Sequence, residues 1–62
     1  MLNFIEVHNR RGEPVYINTL NIKSVGTAHD AVDYMLNGIV TTASGKVLTR
    51  EMASEIMKMI EK

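Results

Sequence analysis

The chain has 62 residues, no cysteine, and seven basic side chains balanced by seven acidic ones. That length admits one domain with a thin core, the missing cysteines exclude disulfide staples and thiolate metal sites, and the zero net charge excludes the strong positive field of sequence-independent nucleic-acid binders. No stretch approaches the roughly 18–20 consecutive apolar residues of a membrane span, and Met1-Leu2-Asn3-Phe4-Ile5-Glu6 lacks a charged leader with an apolar run, so a cytoplasmic location is expected.

From Leu2 to His8 the residues are mostly apolar and β-compatible, and Asn9-Arg10-Arg11-Gly12-Glu13-Pro14 breaks the run with turn formers. Gly12 suits a positive φ, and Pro14 suits the first position of a strand, where its missing N–H need not pair. Val15 to Asn18 reads as the return strand, with Val15 and Ile17 on one face and Tyr16 on the other, so the first two strands predict an antiparallel hairpin. Leu20, Ile22 and Val25 change face along the next segment, which predicts a bulge or bend.

Gly26 to Gly38 admits three readings. Asp30 with Asp33 suits the cap of a short helix through Leu36, Asn37-Gly38 suits a two-residue turn between Tyr34-Met35-Leu36 and Ile39-Val40-Thr41, and a surface excursion with little regular structure is favoured over both. Ile39-Val40-Thr41-Thr42 reads as a strand, Ser44-Gly45-Lys46 as its turn and Val47-Leu48 as the returning strand, with Thr49 as the N-cap of a terminal helix.

Thr49 to Lys62, wound at 100° per residue, separates into two arcs. Met52, Ala53, Ile56, Met57, Met59 and Ile60 share one, and Arg50, Glu51, Ser54, Glu55, Lys58, Glu61 and Lys62 fill the other. This predicts an amphipathic C-terminal helix that needs an apolar surface to lie on. Residues 1–62 therefore read as a single small α+β domain, a curved antiparallel sheet of four or five short strands with one helix across it. The apolar arc spans about 160°, wider than the roughly 100° a core-facing helix requires. One edge, at Met57, is thus left for a protein partner or a second copy of the chain, as a homodimer.

Candidate chemistry is sparse. Arg10-Arg11 is the only adjacent basic pair, and guanidinium forks at a loop tip can hold phosphate or carboxylate. The competing reading is a solvated loop neutralised by Glu6 and Glu13. His29, Asp30 and Asp33 offer an imidazole and two carboxylates within five positions, but turn and cap chemistry accounts for the acids more simply, so no metal or other cofactor is expected. His8 reads as a surface residue. Ser24, Ser44 and Ser54 sit in no nucleophile turn, and no catalytic residue is assigned.

The order Phe4-Ile5-Glu6-Val7-His8, Gly12, Val15-Tyr16-Ile17-Asn18, Ile22, Val25, Ser44-Gly45-Lys46 and Arg50-Glu51 resembles the small flagellar FlbD-like proteins and their uncharacterised relatives, over nearly the whole chain. The resemblance implies a short β-rich domain with a C-terminal helix and no catalytic residues. A second likeness, carried by Met1-Leu2, Arg10-Arg11-Gly12-Glu13 and Val47-Leu48-Thr49-Arg50-Glu51, is to the carbon storage regulator CsrA, a dimeric RNA-binding translational regulator. It implies RNA contacts at Arg11 and Arg50. The arginine pair here follows Met1 several residues later than in that family. The functional expectation is a non-catalytic interaction or regulatory module, with a small dimeric RNA-binding regulator as the alternative.

Overall fold

The computed structural model describes residues 3–28 and 35–61. His29, Asp30, Asp33, Tyr34 and Lys62, singled out from the sequence, lie outside them. Five strands and one helix run in the order β1 (Phe4–His8), β2 (Pro14–Asn18), a 3₁₀ turn (Thr19–Asn21), β3 (Ile22–Thr27), β4 (Gly38–Thr42), β5 (Gly45–Thr49) and α1 (Ala53–Ile60). The expected α+β class with short antiparallel strands and a C-terminal helix is what the chain adopts. The strands divide into two ladders, β1-β2 and β3-β4-β5.

In the first ladder Ile5 faces Ile17 and Val7 faces Val15. Direct cross-strand pairs of this kind bring β-branched side chains into contact on one face, and here that face is the core. Ile5, Val7 and Ile17 are buried while Phe4 and Tyr16 stay outside, as the alternation requires. Gly12 turns the hairpin at φ +79°, and Pro14 opens β2. The predicted change of face after Leu20 is a register shift between Ile22 and Ser24, where β3 pairs with β4.

In the second ladder Val25, Val40 and Val47 stand side by side. Helix α1 packs on β1, β3 and β4, and so closes both ladders over one core of Ile5, Val7, Ile17, Val40 and Ile56. Val15, Ile22, Val25, Val47, Met59 and Ile60 extend it. Along α1, Ile56 is fully buried, Ala53, Met59 and Ile60 are half-buried, and Ser54, Glu55 and Lys58 are exposed. No helix among the described residues is long and apolar enough to cross a membrane.

Two local expectations are corrected, and one of the three readings of Gly26 to Gly38 is excluded. Thr49 is not the N-cap: it ends β5, fully buried, and its hydroxyl donates to the Glu51 carbonyl at 2.9 Å. The chain must turn a corner before it can coil, so Met52 becomes the N-cap and Glu55 accepts the Met52 N–H at 3.1 Å, the acidic half of a capping box. Ser44-Gly45-Lys46 is not the turn either. Ala43 and Ser44 make it, and Gly45 already pairs with Thr42, whose hydroxyl donates to the Gly45 carbonyl. Finally, Asn37-Gly38 is no hairpin turn, because Gly38 sits inside β4 with Thr27 on one side and Thr49 on the other.

Candidate functional site

Among the described residues, the densest polar arrangement lies where the end of β1 meets the connection between β5 and α1. Ladder alternation explains why the backbone is available there. Thr19 N–H donates to the Asn3 carbonyl and Asn9 N–H to the Glu13 carbonyl, so odd-numbered residues of β1 bond to β2 and even-numbered ones face the other way. His8 therefore turns its N–H and C=O away from the hairpin. Arg50 N–H donates to the His8 carbonyl at 2.8 Å, and Glu51 Oε1 accepts the His8 N–H at 2.8 Å.

The side chains complete the junction. Glu51 Oε2 lies 2.6 Å from His8 Nδ1, and Glu6 Oε2 lies 3.3 Å from His8 Nε2. Glu6 and His8 are two apart on a strand and so share its outer face. The hydrogen bond to Glu51 raises the His8 pKa above its ordinary value, against a smaller lowering by burial, with the Glu6 charge adding to the rise. Burial pushes the Glu51 carboxyl up, but the hydrogens of the His8 ring and amide together hold it below its ordinary value.

Arg50 serves the neighbouring loop. Its guanidinium donates from Nε to the Asn9 carbonyl at 3.0 Å and from Nη2 to the Arg10 carbonyl, and it lies over Gly12. Inside that loop Asn9 Oδ1 accepts the N–H groups of Arg11 and Glu13, and Asn9 Nδ2 donates to Glu13 Oε1. Asn37 ties the far end. Its N–H donates to the Thr49 carbonyl, its carbonyl accepts from Ala28 N–H, and its Nδ2 donates to the Arg50 carbonyl at 2.9 Å.

Of the residues expected from the sequence, the three arginines come together and Met57 lies apart. Arg10 and Arg11 are exposed at the hairpin tip, Arg50 reaches that tip by gripping its carbonyls, and Met57 lies 41% exposed on α1. Glu6 contacts His8, and Glu13 contacts Asn9. His8, Glu51, Asn9 and Asn37 carry the geometry and were not anticipated. The Glu6/His8 spacing on one strand face and the Asn9-x-x-Gly12 loop pattern were legible signals, whereas Glu51 stands 43 positions from His8 and leaves no local trace.

The ring nitrogens of His8 point to carboxylates on opposite edges, so three ligands do not converge, and among the described residues no group of three or more His, Cys, Asp or Glu can hold a metal. A half-open groove of about 500 Å³ adjoins the Asn37 end, lined by Thr27, Ala28, Asn37, Met52, Ala53 and Ser54, none of them an acid or base near neutral pH. No protein-family model, curated protein or solved structure matches the chain.

Proposed function

We propose that the chain is a non-catalytic protein-interaction or regulatory module that meets another protein, or a second copy of itself, in the cytoplasm. The observation that carries this reading is the apolar side chains left outside a completed core. Phe4 and Tyr16 are 52% and 62% exposed on one outer face of the hairpin, Leu20 is exposed beyond it, and Met52 and Met57 are exposed at the start and middle of α1. Phe4 and Tyr16 are diagonal neighbours across the ladder, a spacing that lets large side chains act as one surface. Thioethers at Met52 and Met57 conform to irregular partners. The likeness to FlbD-like proteins is in keeping with such a role.

The polar groups of this junction are spent on the fold itself: Glu51 and Arg50 hold the first hairpin by its backbone. That supports a binding role over a catalytic one. Solution size measured across a wide concentration range, with affinity capture from lysate with and without nuclease, tests the reading. Association or nuclease-resistant capture that Met57→Lys weakens is the expected result. Monomer at every concentration, with capture unchanged by Met57→Lys, overturns it. Capture lost to nuclease and falling steeply with salt assigns the chain instead to RNA, with Arg10, Arg11 and Arg50 as the residues to replace.

A further inference from the structure

The two ladders share a core but form separate sheets, and the His8 junction is a polar seam between them. An imidazole carries one N–H when neutral and two when charged. Here both ring nitrogens face carboxylate oxygens, Glu51 Oε2 at Nδ1 and Glu6 Oε2 at Nε2, so only the cation can donate to both. A neutral ring that keeps its proton on Nδ1 turns a lone pair towards the Glu6 carboxylate.

Glu6 from β1, and Arg50 and Glu51 from the connection after β5, are the charged groups that act on the ring among the described residues; two are acidic and the cation opposes them. The same connection holds the His8 backbone on both sides and, through the Arg50 guanidinium, the loop that carries Arg10 and Arg11.

We propose that His8 is a proton-operated clasp: charged, it bridges Glu6 and Glu51 and tightens the first hairpin against the β5–α1 corner, and on losing its proton it sets an Nε2 lone pair against the Glu6 carboxylate, weakens its bond to Glu51, and so loosens that corner and the loop at residues 9–13. The inference concerns a device within the fold and stands whatever partner the chain meets. It explains why one acid is held by both the ring and the amide of a single residue. A carboxylate needed only as a backbone acceptor has no use for the imidazole.

Linkage makes the proposal quantitative. If the closed clasp prefers the charged ring, the equilibrium between closed and open shifts, from low to high pH, by the ratio of the ring's acid dissociation constants in the two states, tenfold for each unit. The test uses the full chain. Ring-nitrogen NMR follows the titration of His8, assigned by its absence from His8→Gln, and amide exchange at His8 and Arg50 is followed through the same range after correction for intrinsic base catalysis.

The expected result is a His8 that titrates above an ordinary histidine with both ring nitrogens protonated while closed, and protection at the two amides that falls by the factor so measured. Glu6→Gln, at a half-exposed carboxylate that carries none of the core, brings the titration down and shrinks that fall in proportion. A His8 that titrates at or below the ordinary value, or protection that stays level through its titration, overturns the clasp. If His8→Gln does not fold, Glu6→Gln and the wild-type chain decide the matter.

Discussion

Gly38 and Gly26 lie in neighbouring strands, and the structure assigns them opposite tolerances. A Cβ on Gly38 meets the Glu51 carbonyl oxygen, the Thr49 hydroxyl at 2.7 Å and Ile56 Cδ1 at 3.0 Å, whereas a Cβ on Gly26 meets nothing within 4 Å. The first collision is with backbone, which cannot rotate away. Gly38→Ala is expected to destabilise the fold by about 1–3 kcal/mol, as overpacked positions do, read from the shift of a urea midpoint at constant slope. Gly26→Ala is expected to cost nothing, since alanine loses less chain entropy on folding than glycine. Equal effects at the two positions contradict the placement of Gly38 beneath the β5–α1 corner. The sequence shows Gly38 only as half of Asn37-Gly38, a pair that belongs as readily to a turn. Its role depends on Thr49, Glu51 and Ile56, which no local pattern joins to it.

At the scale of elements, the first hairpin was legible because every cue agrees: alternation in both strands, turn residues between them, a glycine where φ is positive and a proline where no N–H is needed. How the hairpin is held was not legible. The Arg50 fork on the Asn9 and Arg10 carbonyls joins residues about 40 positions apart. Lysine supplies a point charge in place of the planar fork, so Arg50→Lys is expected to cost on the order of 1 kcal/mol and to speed amide exchange at Gly12 and Glu13. The ladder amides of Ile5 and Ile17, whose side chains are buried, should stay protected. Uniform acceleration across the hairpin instead places Arg50 in global stability and not in local anchoring. The helix shows the complementary limit. Its periodicity is readable from Met52 onward, but Thr49-Arg50-Glu51 fit the same wheel and are withdrawn from it by contacts with β1 and with the buried end of β5.

At the scale of the molecule, the Cα radius of gyration of 10.8 Å matches the about 10.6 Å expected for a chain of this length. So small a body keeps few side chains fully inside, and the polar seam contributes a visible share of its response to pH. His8 is raised from its ordinary value of 6.5, so its contribution is complete below that pH and is lost as pH rises through the folded value. Glu51 is lowered from 4.5, so its contribution is complete above that pH and is lost as pH falls through the folded value. Stability against urea should therefore be highest between these two ordinary values and decline on either side. His8→Gln should remove the alkaline decline and Glu51→Gln blunt the acid one. A wild-type profile that climbs from pH 6 to 8 contradicts the sign of the His8 shift, and one that stays level as pH falls below 4.5 contradicts that of Glu51.

Composition, period and turn chemistry by themselves determined the α+β class of short antiparallel strands with a C-terminal helix, because these features act between residues a few positions apart. Only the tertiary structure decided that the strands split into two ladders, that the helix starts at Ala53, and that His8 and Glu51 meet. Those outcomes turn on which backbone groups remain unpaired once each ladder has formed, and on which distant side chains arrive to satisfy them.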